Sequence, residues 1–364
     1  MTKASKKGGI MGQIIDFEPS EKQFGVFWKY LSKPDVTGVN YSNKKLWITD
    51  LKKGRYKAEE QVSESFLGQF ANVIANCVNK QFNDVNPVLE ADTKELRISI
   101  LHPSVAKSGM SISLRKSPPM VRNSIDDLLS KNFCEEEIFH LLINCVRAKM
   151  IIVFGGEPGV GKTELAKVAM QFIEENARVI TIEDSLELHY GEINKGHDHV
   201  ELQVKDGFDY KDAIKASLRQ DPDWLMLSEA RSSEVVSLLE SWSTGVSGFT
   251  TIHLDDLRKL PDRILNMMDE KRDAERMENR IYSDVNAGVL VRMVKQKDGC
   301  IRRYVEQFCF YSRENGENRI YMMVEDGKKV SEEIPAEIKK KFEREGINNP
   351  FYCKKLEEFR KCGK

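Results

Sequence analysis

The chain has 364 residues, of which 40% are hydrophobic and 31% charged, and its formal net charge at pH 7 is -1. This length and balance are typical of a globular protein of about two domains, and they exclude a disordered chain. The near-zero charge excludes binding of a polyanion by overall charge, and no apolar run reaches the roughly 18 residues that a membrane-spanning helix needs.

Residues 1–22 are predicted to form a loose N-terminal tail. The segment MTKASKKGGIMGQIIDF is basic but lacks the apolar core of a secretory signal. The seven cysteines include no CxxC pair and are odd in number. This usage favours free thiols in a reducing cytosol over a disulfide framework, so the sequence predicts a cytoplasmic protein.

An N-terminal α+β domain is predicted over residues 23–116. The segments KKLWIT, ELRISILHP and MSISLRK have the composition of strands, and SESFLGQFANVIANCVNKQF has the periodicity of a helix. The apolar stripe predicted for that helix consists of Phe66, Phe70, Val73, Ile74 and Cys77. Pro118 and Pro119 cannot lie inside a helix or a central strand, so residues 117–123 are predicted to be a linker.

A second domain is predicted over residues 124–330. Four apolar runs, MIIVFGG, RVITIED, DWLMLSE and GFTTIHL, are separated by helical segments. Runs of this kind are typical of a mainly parallel sheet that helices cover on both faces. The sequence therefore predicts an α/β protein in which a mixed α+β domain precedes a RecA-like P-loop NTPase domain. The polar residues 331–364 are predicted to be a charged, solvated helical appendage, with a partner-binding tail as the alternative.

The segment GEPGVGKT carries the strongest motif of the chain. It fits G-x-x-x-x-G-K-[ST] and lies between an apolar strand and an amphipathic helix. Glycines let successive backbone N–H groups surround phosphate oxygens, and the N-terminus of the helix adds partial positive charge. Lys162 is predicted to reach the β- and γ-phosphates of ATP, and Thr163 to offer its hydroxyl to Mg²⁺. The predicted nucleotide-binding residues are Gly156, Glu157, Pro158, Gly159, Val160, Gly161, Lys162, Thr163 and Glu164.

Polar residues follow three of the other predicted strands. The strand predicted in RVITIEDSLEL is followed by Glu183 and Asp184, with Glu187 nearby. The strand predicted in DWLMLSEAR is followed by Glu229, and the strand predicted in STGVSGFTTIHL is followed by His253. Ligands of doubly wound sheets bind at the carboxyl ends of the strands, so these three ends are expected to converge on the P-loop.

The chemistry of these side chains suggests roles in ATP hydrolysis. A carboxylate near the γ-phosphate can orient the attacking water or hold the metal ion. We assign the Walker B role at the metal to Glu229 and the polarisation of water to Glu183, although the sequence does not separate these two acids. Asp184 is a further candidate metal ligand, and capping of the next helix is the alternative for Glu183 and Asp184. His253 is predicted to donate a hydrogen bond to the γ-phosphate.

His197 and His199, in the segment KGHDH, have the spacing of a metal-binding pair. They lie in a polar stretch without cysteines or clustered acids. The sequence therefore favours a solvated loop over a metal site.

The motifs together resemble those of the secretion-system traffic ATPases, the P-loop motors of type II and type IV secretion, conjugation and pilus assembly. GEPGVGKTELAK resembles their Walker A motif, VITIEDSLEL their Asp box, SLRQDPDWLMLSEAR their Walker B motif and STGVSGFTTIHL their His box. ELRISILHPSVAKSGMSISLRK is similar to the end of their N-terminal domain. The resemblance covers roughly residues 25–325 and is strongest to the type IV secretion and conjugation branch.

The resemblance implies a nucleotide held between the two domains and a ring of six subunits. It also implies that Arg115 contacts the nucleotide or a neighbouring subunit. Arg219 and Arg231 are further candidates for such contacts, because an arginine stabilises the charge that develops on a transferred phosphate. A surface ion pair is the alternative for each arginine.

One segment and two single residues depart from the family pattern. The interior of the P-loop motif, Glu157 to Val160, lacks the usual small residues and resembles the loop of clamp-type unfoldase ATPases. Ser228 stands where the family has glycine, and Val246 where it usually has a first histidine. These changes bear on the rate of turnover more than on nucleotide binding.

The predicted function is that of an ATP-hydrolysing hexameric motor. It would power a type IV secretion or conjugation apparatus at the inner face of the cytoplasmic membrane, with other machinery proteins as partners. The alternatives are an AAA+ remodelling or helicase ATPase and a weakly hydrolysing, nucleotide-gated scaffold. No residue pattern identifies the cargo, and no basic, aromatic-lined groove predicts direct binding of nucleic acid.

Overall fold

The computed structural model describes residues 13–14, 19–268 and 273–362. Most of residues 1–22, predicted as a loose tail, lies outside the described residues. The elements of the N-terminal part are β1 (Gln13–Ile14), α1 (Glu21–Phe24), α2 (Trp28–Leu31), β2 (Val36–Ser42), β3 (Lys45–Asp50), β4 (Gly54–Lys57), α3 (Glu64–Cys77), β5 (Val88–Asp92), β6 (Leu96–Leu101) and β7 (Ser111–Lys116).

The described N-terminal strands form one seven-stranded sheet in the order β1-β5-β6-β7-β2-β3-β4. Its side chains alternate between two faces, so that Leu46 and Ile48 of β3 are buried while Trp47 lies on the opposite face. Helices α1–α3 pack on the apolar face. The other face is polar and turns toward the P-loop.

Helix α3 differs from its predicted apolar stripe. It begins after Ser63, whose side chain accepts a hydrogen bond from the N–H of Phe66. The stripe that it buries consists of Leu67, Phe70, Ala71, Ile74 and Ala75. The predicted members Val73 and Cys77 are exposed. The face of the helix that packs on the sheet is rotated from the predicted stripe and includes the small residues Ala71 and Ala75.

The second part of the chain is a larger sheet flanked by helices. Its elements are α4 (Ile125–Ser130), α5 (Glu136–Arg147), β8 (Ile152–Gly155), α6 (Lys162–Met170), β9 (Val179–Glu183), α7 (Tyr190–Ile193), β10 (His199–Gln203), α8 (Tyr210–Ser217), β11 (Trp224–Ala230), α9 (Glu234–Trp242), β12 (Phe249–Ile252), α10 (Leu260–Leu265), α11 (Ala274–Asp284), β13 (Ala287–Lys295), β14 (Ile301–Glu314), β15 (Glu317–Glu325), β16 (Lys328–Lys329), α12 (Ala336–Arg344) and α13 (Lys354–Lys361).

The strand order of this sheet, over the described residues, is β10-β9-β11-β12-β8-β13-β14-β15-β16. Strands β10 to β13 in this order pair in parallel, and the strands from β13 to β16 pair antiparallel. The strands bury apolar side chains on both faces, as Phe154 and Val153 of β8 illustrate. The predicted fold class, a mixed α+β unit followed by a mainly parallel P-loop sheet, is confirmed.

Two connections fix the N-terminal sheet against the P-loop sheet. The chain between β7 and α4 is held by buried side chains of the P-loop unit: Lys167 Nζ donates to the Pro118 carbonyl at 3.0 Å, and His189 Nε2 lies 2.9 Å from the Ser117 carbonyl. The β13–β14 hairpin reaches the turn between β3 and β4, where Arg303 Nη1 donates to the Leu51 carbonyl at 3.1 Å. Between the two sheets lies a cleft of about 1360 Å³.

The C-terminal segment packs against helix α5. The side-chain amide of Asn144 is fully buried and donates to the carbonyls of Pro350 and Tyr352 at 2.9 and 3.0 Å. His140 Nδ1 accepts a hydrogen bond of 3.0 Å from the Cys353 N–H. Leu356 of α13 is buried in the core. The segment predicted as a solvated appendage therefore keeps its charges outside but anchors its apolar residues on the P-loop unit.

Of the described helices, none combines the length and the apolar character that crossing a bilayer requires.

Replacing Asn144 with alanine should destabilise the C-terminal segment. The substitution removes a fully buried amide and leaves the carbonyls of Pro350 and Tyr352 without their donor, so the free energy of unfolding should fall by about 2 kcal/mol, measured by urea denaturation. Asn72→Ala, at an exposed position of α3, is the matched control and should change it by less than about 0.5 kcal/mol. Equal stability of the two variants would contradict the anchoring role of Asn144.

Acidification should loosen the same segment through His140. Burial lowers the pKa of His140 below its ordinary value, against the opposing effect of Glu357. Because the folded pKa is depressed, the stability present above about pH 6.5 is lost as the pH falls through the folded pKa. Hydrogen exchange of residues 353–362, corrected for intrinsic rates, should therefore accelerate between pH 7.5 and 5. His140→Asn keeps an acceptor that does not titrate, so an unchanged pH response in this variant would contradict the prediction.

Candidate nucleotide-binding and catalytic site

The P-loop joins strand β8 to helix α6, in the strand–loop–helix setting that the motif requires. Gly156 has a φ of 144°, and a Cβ there would lie 2.5 Å from the Val291 carbonyl oxygen. Gly159 and Gly161 have φ values of 77° and 106° and line the cleft. Glycine at these positions permits a left-handed backbone and leaves a cradle of N–H groups that faces the cleft.

Lys162 is the first residue of α6 and is held over the loop that precedes it. Its Nζ donates to the carbonyls of Gly156 and Glu157 at 2.9 and 3.0 Å, and it lies 3.0 Å from His253 Nδ1. Burial lowers the pKa of Lys162 to about 8, although Glu229 favours the charged form. The ammonium group is therefore fixed at the mouth of the cradle.

His253 and Glu229 extend this chain of contacts along the carboxyl edge of the sheet. An ammonium group only donates, so His253 Nδ1 can accept from Lys162, although it also lies 3.3 Å from the Gly156 carbonyl oxygen, and the other ring nitrogen is Nε2. That Nε2 lies 2.6 Å from Glu229 Oε1. Glu229, at the end of β11, also accepts a 2.6 Å hydrogen bond from Arg231 Nε through its second oxygen. Glu229 is thus linked to Lys162 through His253.

Asp184 is the centre of an ion-pair group next to the cleft. Its Oδ2 accepts from Arg231 Nη1 at 2.6 Å and from Arg97 Nη2 at 3.1 Å. Burial opposes ionisation, but the two arginines hold the pKa of Asp184 below its ordinary value. The side chain does not line the cleft. The assignment of Asp184 as a metal ligand stays a prediction, and in this geometry the residue joins the N-terminal sheet to the P-loop unit.

Glu183 and Glu187 occupy opposite environments. Glu183 is fully buried, its Oε2 accepts from the N–H groups of Glu187 and Leu188 at 2.8 and 3.0 Å, and burial raises its pKa to about 8. Glu187 lines the cleft, and its Oε2 accepts from Thr163 Oγ1 at 3.4 Å. The acid that faces the P-loop threonine is therefore Glu187, whereas Glu183, to which the sequence assigned the polarisation of water, lies behind it.

The sequence places Glu187 near the end of the strand but predicts no role for it. The usable signal was its place four residues beyond the strand end, where a tight turn returns the chain to the carboxyl edge of the sheet. Further cationic side chains line the cleft and were also missed: Arg97, Arg122, Lys167 and Arg303. Such residues come from several elements, and no local pattern marks them.

The arginines singled out in the sequence are placed differently. Arg115 lies opposite Arg97 on neighbouring strands of the N-terminal sheet and lines the cleft, close enough to lower the pKa of Lys162. Arg231 lies beside Glu229. Arg219 is exposed before the amino end of β11, at the edge of the sheet away from the P-loop. Within one subunit Arg219 does not meet the other site residues, and its contact with a neighbouring subunit stays a prediction.

The remaining P-loop residues divide between the cleft and its surroundings. Pro158, Val160 and Glu164 line the cleft, and Glu164 Oε1 lies 3.8 Å from Arg122 Nε. Glu157 instead forms a 3.7 Å ion pair with Arg292. Its backbone carbonyl, rather than its carboxylate, is the part that reaches Lys162.

His197 and His199 lie away from this cleft. His197 is half-buried and its Nδ1 is 3.3 Å from the Tyr190 hydroxyl, while His199 is exposed at the start of β10. In the described part of the chain, no acid or cysteine joins the two histidines in a group with metal-ligand spacing. The placement is that of a partly packed surface segment.

The oxygens that face the P-loop suit a hard divalent cation. Thr163 supplies a hydroxyl, and Glu187 and Glu229 supply carboxylates at the cleft. Mg²⁺ is bound in proteins by one or two carboxylates, waters and the phosphates of its nucleotide. The donor set therefore fits Mg²⁺ with a phosphate ligand.

Comparisons with known proteins agree on one family. A protein-family model described as "Type II/IV secretion system protein" matches residues 80–347. An uncharacterized protein of Bacillus anthracis, pXO2-25, is 27% identical over 270 residues, which are 73% of this chain and 60% of that protein. The conjugal transfer protein TrbB of Rhizobium radiobacter is 28% identical over 201 residues, 51% of this chain and 59% of that protein. The chain thus spans about six tenths of the length of these two relatives.

A further relative and two solved structures extend the comparison. The type IV secretion system protein VirB11 of Brucella suis is 26% identical over 253 residues, 61% of this chain and 70% of that protein. The fold is similar to that of the Legionella pneumophila ATPase DotB, with a TM-score of 0.59 and 16% identity over 84% of this chain and 85% of that one. It is also similar to the pilus retraction motor PilT, with a TM-score of 0.56 and 16% identity over 78% and 80% of the two chains.

The match covers more than half of the chain, and it confirms the resemblance that the four motifs indicated. It disfavours an AAA+ remodelling or helicase ATPase. This protein belongs to the type II/IV secretion system protein family.

Proposed function

We propose that the protein hydrolyses ATP and works as a hexameric motor of a type IV secretion or conjugation apparatus. The observation that carries the proposal is the convergence of Lys162, Thr163, Glu187, Glu229 and His253 on one cleft. These residues lie at the start of α6, in the turn after β9, near the end of β11 and just after β12. Together they supply the parts that phosphoryl transfer to water needs.

Binding of the triphosphate follows from the P-loop. Backbone N–H groups from Gly159 to Thr163 face the phosphates, and the start of α6 adds positive partial charge. Lys162, now bonded to two loop carbonyls, can turn its ammonium group to the β- and γ-phosphate oxygens with a small movement. The cationic side chains of the N-terminal sheet, Arg97 and Arg115, face the same space from the other side.

The hydrolytic step would use the acids at the carboxyl edge. Glu187 is placed to accept a hydrogen bond from the attacking water and to orient it toward the γ-phosphate. Glu229 would bind the metal side of the site, and its bonds to His253 and Arg231 fix its orientation. Thr163 and Glu229 would hold Mg²⁺, whose charge offsets the charge of the β- and γ-phosphates. His253 links the Glu229 carboxylate to Lys162 and so responds to the occupant of the cradle.

The motor role rests on the family and on the layout of the cleft. The relatives named above include secretion, conjugal transfer and pilus retraction proteins. The site is built between two sheets, so a change at the phosphates can alter the angle between them. Arg219 and the exposed arginines of the cleft are available to a neighbouring subunit of a ring. We place this ring at the inner face of the cytoplasmic membrane, with other machinery proteins as partners.

The proposal is tested by measuring Mg²⁺-dependent ATP hydrolysis by the purified full chain. Lys162→Ala should lower kcat/KM by a factor of at least about 1000, since it removes the charge that holds the phosphates. Glu192→Gln, at an exposed position of α7, is the control and should match the wild type. If the wild-type protein binds ATP but does not hydrolyse it, the chain is a nucleotide-gated scaffold instead of a motor.

Glu187→Gln and Glu229→Gln should both stop hydrolysis while keeping nucleotide. We expect kcat to fall about 100-fold or more in each variant, because a carboxylate that orients water or holds the metal is lost. The Kd of ATP should stay within about threefold for Glu187→Gln, since the P-loop is unchanged. Normal turnover in Glu187→Gln would remove this residue from the mechanism, and normal turnover in Glu229→Gln would remove the Walker B assignment.

Assembly should depend on nucleotide or on protein concentration, because in the proposed ring each subunit contributes residues near the nucleotide site of its neighbour. Sedimentation velocity with a non-hydrolysable ATP analogue should reveal a particle of about six times the chain mass of 41.8 kDa. Arg219→Ala should weaken this assembly without changing the fold. A strictly monomeric particle with full ATPase activity would refute the ring.

A further inference from the structure

Glu183 is a buried acid for which the proposed hydrolytic mechanism has no use. It ends β9, is 0% exposed and does not line the cleft. Its Oε1 has no hydrogen-bond partner. Among the described residues, no lysine, arginine or histidine forms an ion pair with it. Because this carboxyl group does not line the cleft, it can affect the cleft only through a neighbouring group.

The neighbour is the turn that carries Glu187. The second oxygen of Glu183 accepts from two successive N–H groups, those of Glu187 at 2.8 Å and Leu188 at 3.0 Å. Leu188 is buried and Glu187 is partly buried, and neither N–H group has a helical or sheet partner, so without Glu183 both would lose their acceptor in the protein. Two short bonds to one oxygen fix the backbone of Glu187 relative to the end of β9.

The rest of the turn is tied at other points, which isolates the contribution of Glu183. Asp184 is held by Arg97 and Arg231, and the Leu186 carbonyl accepts from Ser117 Oγ at 3.0 Å. None of these contacts involves the backbone N–H of Glu187. The Glu187 side chain itself has an ion-pair partner, Arg97, whose Nη1 lies 3.9 Å from Glu187 Oε1. Glu183 positions the backbone from which that side chain extends toward Thr163.

We infer that Glu183 is a positioning residue, which aims Glu187 at the reacting phosphate by accepting hydrogen bonds from the N–H groups of Glu187 and Leu188. The inference rests on the proposed ATPase function and deepens it. A glutamate suits this position because its side chain extends from the strand end to the far side of the turn. The requirement is for an acceptor oxygen at the end of a side chain of this length, and negative charge is not required.

The test compares Glu183→Gln with Glu183→Ala in ATP hydrolysis by the full chain. Glutamine keeps the acceptor oxygen at the same reach, so it should rescue kcat to within about threefold of the wild type. Alanine removes the acceptor, so kcat should fall about 100-fold while KM for ATP changes by less than about threefold. A loss of activity in Glu183→Gln equal to that of Glu187→Gln would overturn the inference, because it would assign the proton-accepting role to Glu183.

A double-mutant cycle separates positioning from a general loss of structure. If Glu183 acts through Glu187, then Glu183→Ala should cause no further loss of kcat in the Glu187→Gln background. Multiplying effects would overturn the inference. If Glu183→Ala does not fold, the cycle with Glu183→Asp decides in the same way, because the shorter side chain withdraws the acceptor from the turn.

Failure of the proposed function would look different. If the wild-type protein hydrolyses no ATP, the motor proposal fails, and the inference is judged on amide hydrogen exchange at Glu187 and Leu188. Both amides should be protected in the wild type and in Glu183→Gln and exchange faster in Glu183→Ala. Equal protection in all three proteins would overturn the inference.

Discussion

The contact of Lys162 with His253, and of His253 with Glu229, is the interaction on which the rest of the site depends. It joins the P-loop to the ends of two neighbouring strands by bonds of 3.0 and 2.6 Å. Through Arg231 and Asp184 the same chain of charges continues to Arg97 of the N-terminal sheet. A continuous set of polar contacts therefore connects the P-loop to the N-terminal sheet, and a change at the P-loop can be transmitted along it.

Local sequence patterns predicted the frame of this site. The P-loop motif, the apolar runs of the parallel strands and the polar residue after each run are all local features, and they place Lys162, Glu229 and His253 correctly at one edge of the sheet. The carboxyl ends of parallel strands lie at the same edge of a sheet, whatever the order of the strands. This rule predicts that the polar residues after the strands lie near one another. The fold class could be predicted for the same reason.

The parts that the sequence did not reveal depend on the path of a turn or on a distant element. Glu183 and Glu187 are both acids beyond one strand, and only the return of the chain decides which of them faces Thr163. Arg97 is 87 residues from its partner Asp184 along the chain. The apolar residues of the C-terminal segment were likewise masked by the many charges around them, although Leu356 and Cys353 are fully buried.

The β13–β14 hairpin has a mechanical consequence. Strand β14 runs for 14 residues, begins near the turn at Leu51 and Lys52, and pairs with β13 along most of its length. A paired ribbon of this length bends little, so it behaves as a stiff arm rooted in the P-loop sheet. A small rotation of the hairpin where it joins the P-loop sheet would displace its far end, near Ile301, by a larger distance. The hydrogen bond between Arg303 and the Leu51 carbonyl would transmit this displacement to the N-terminal sheet.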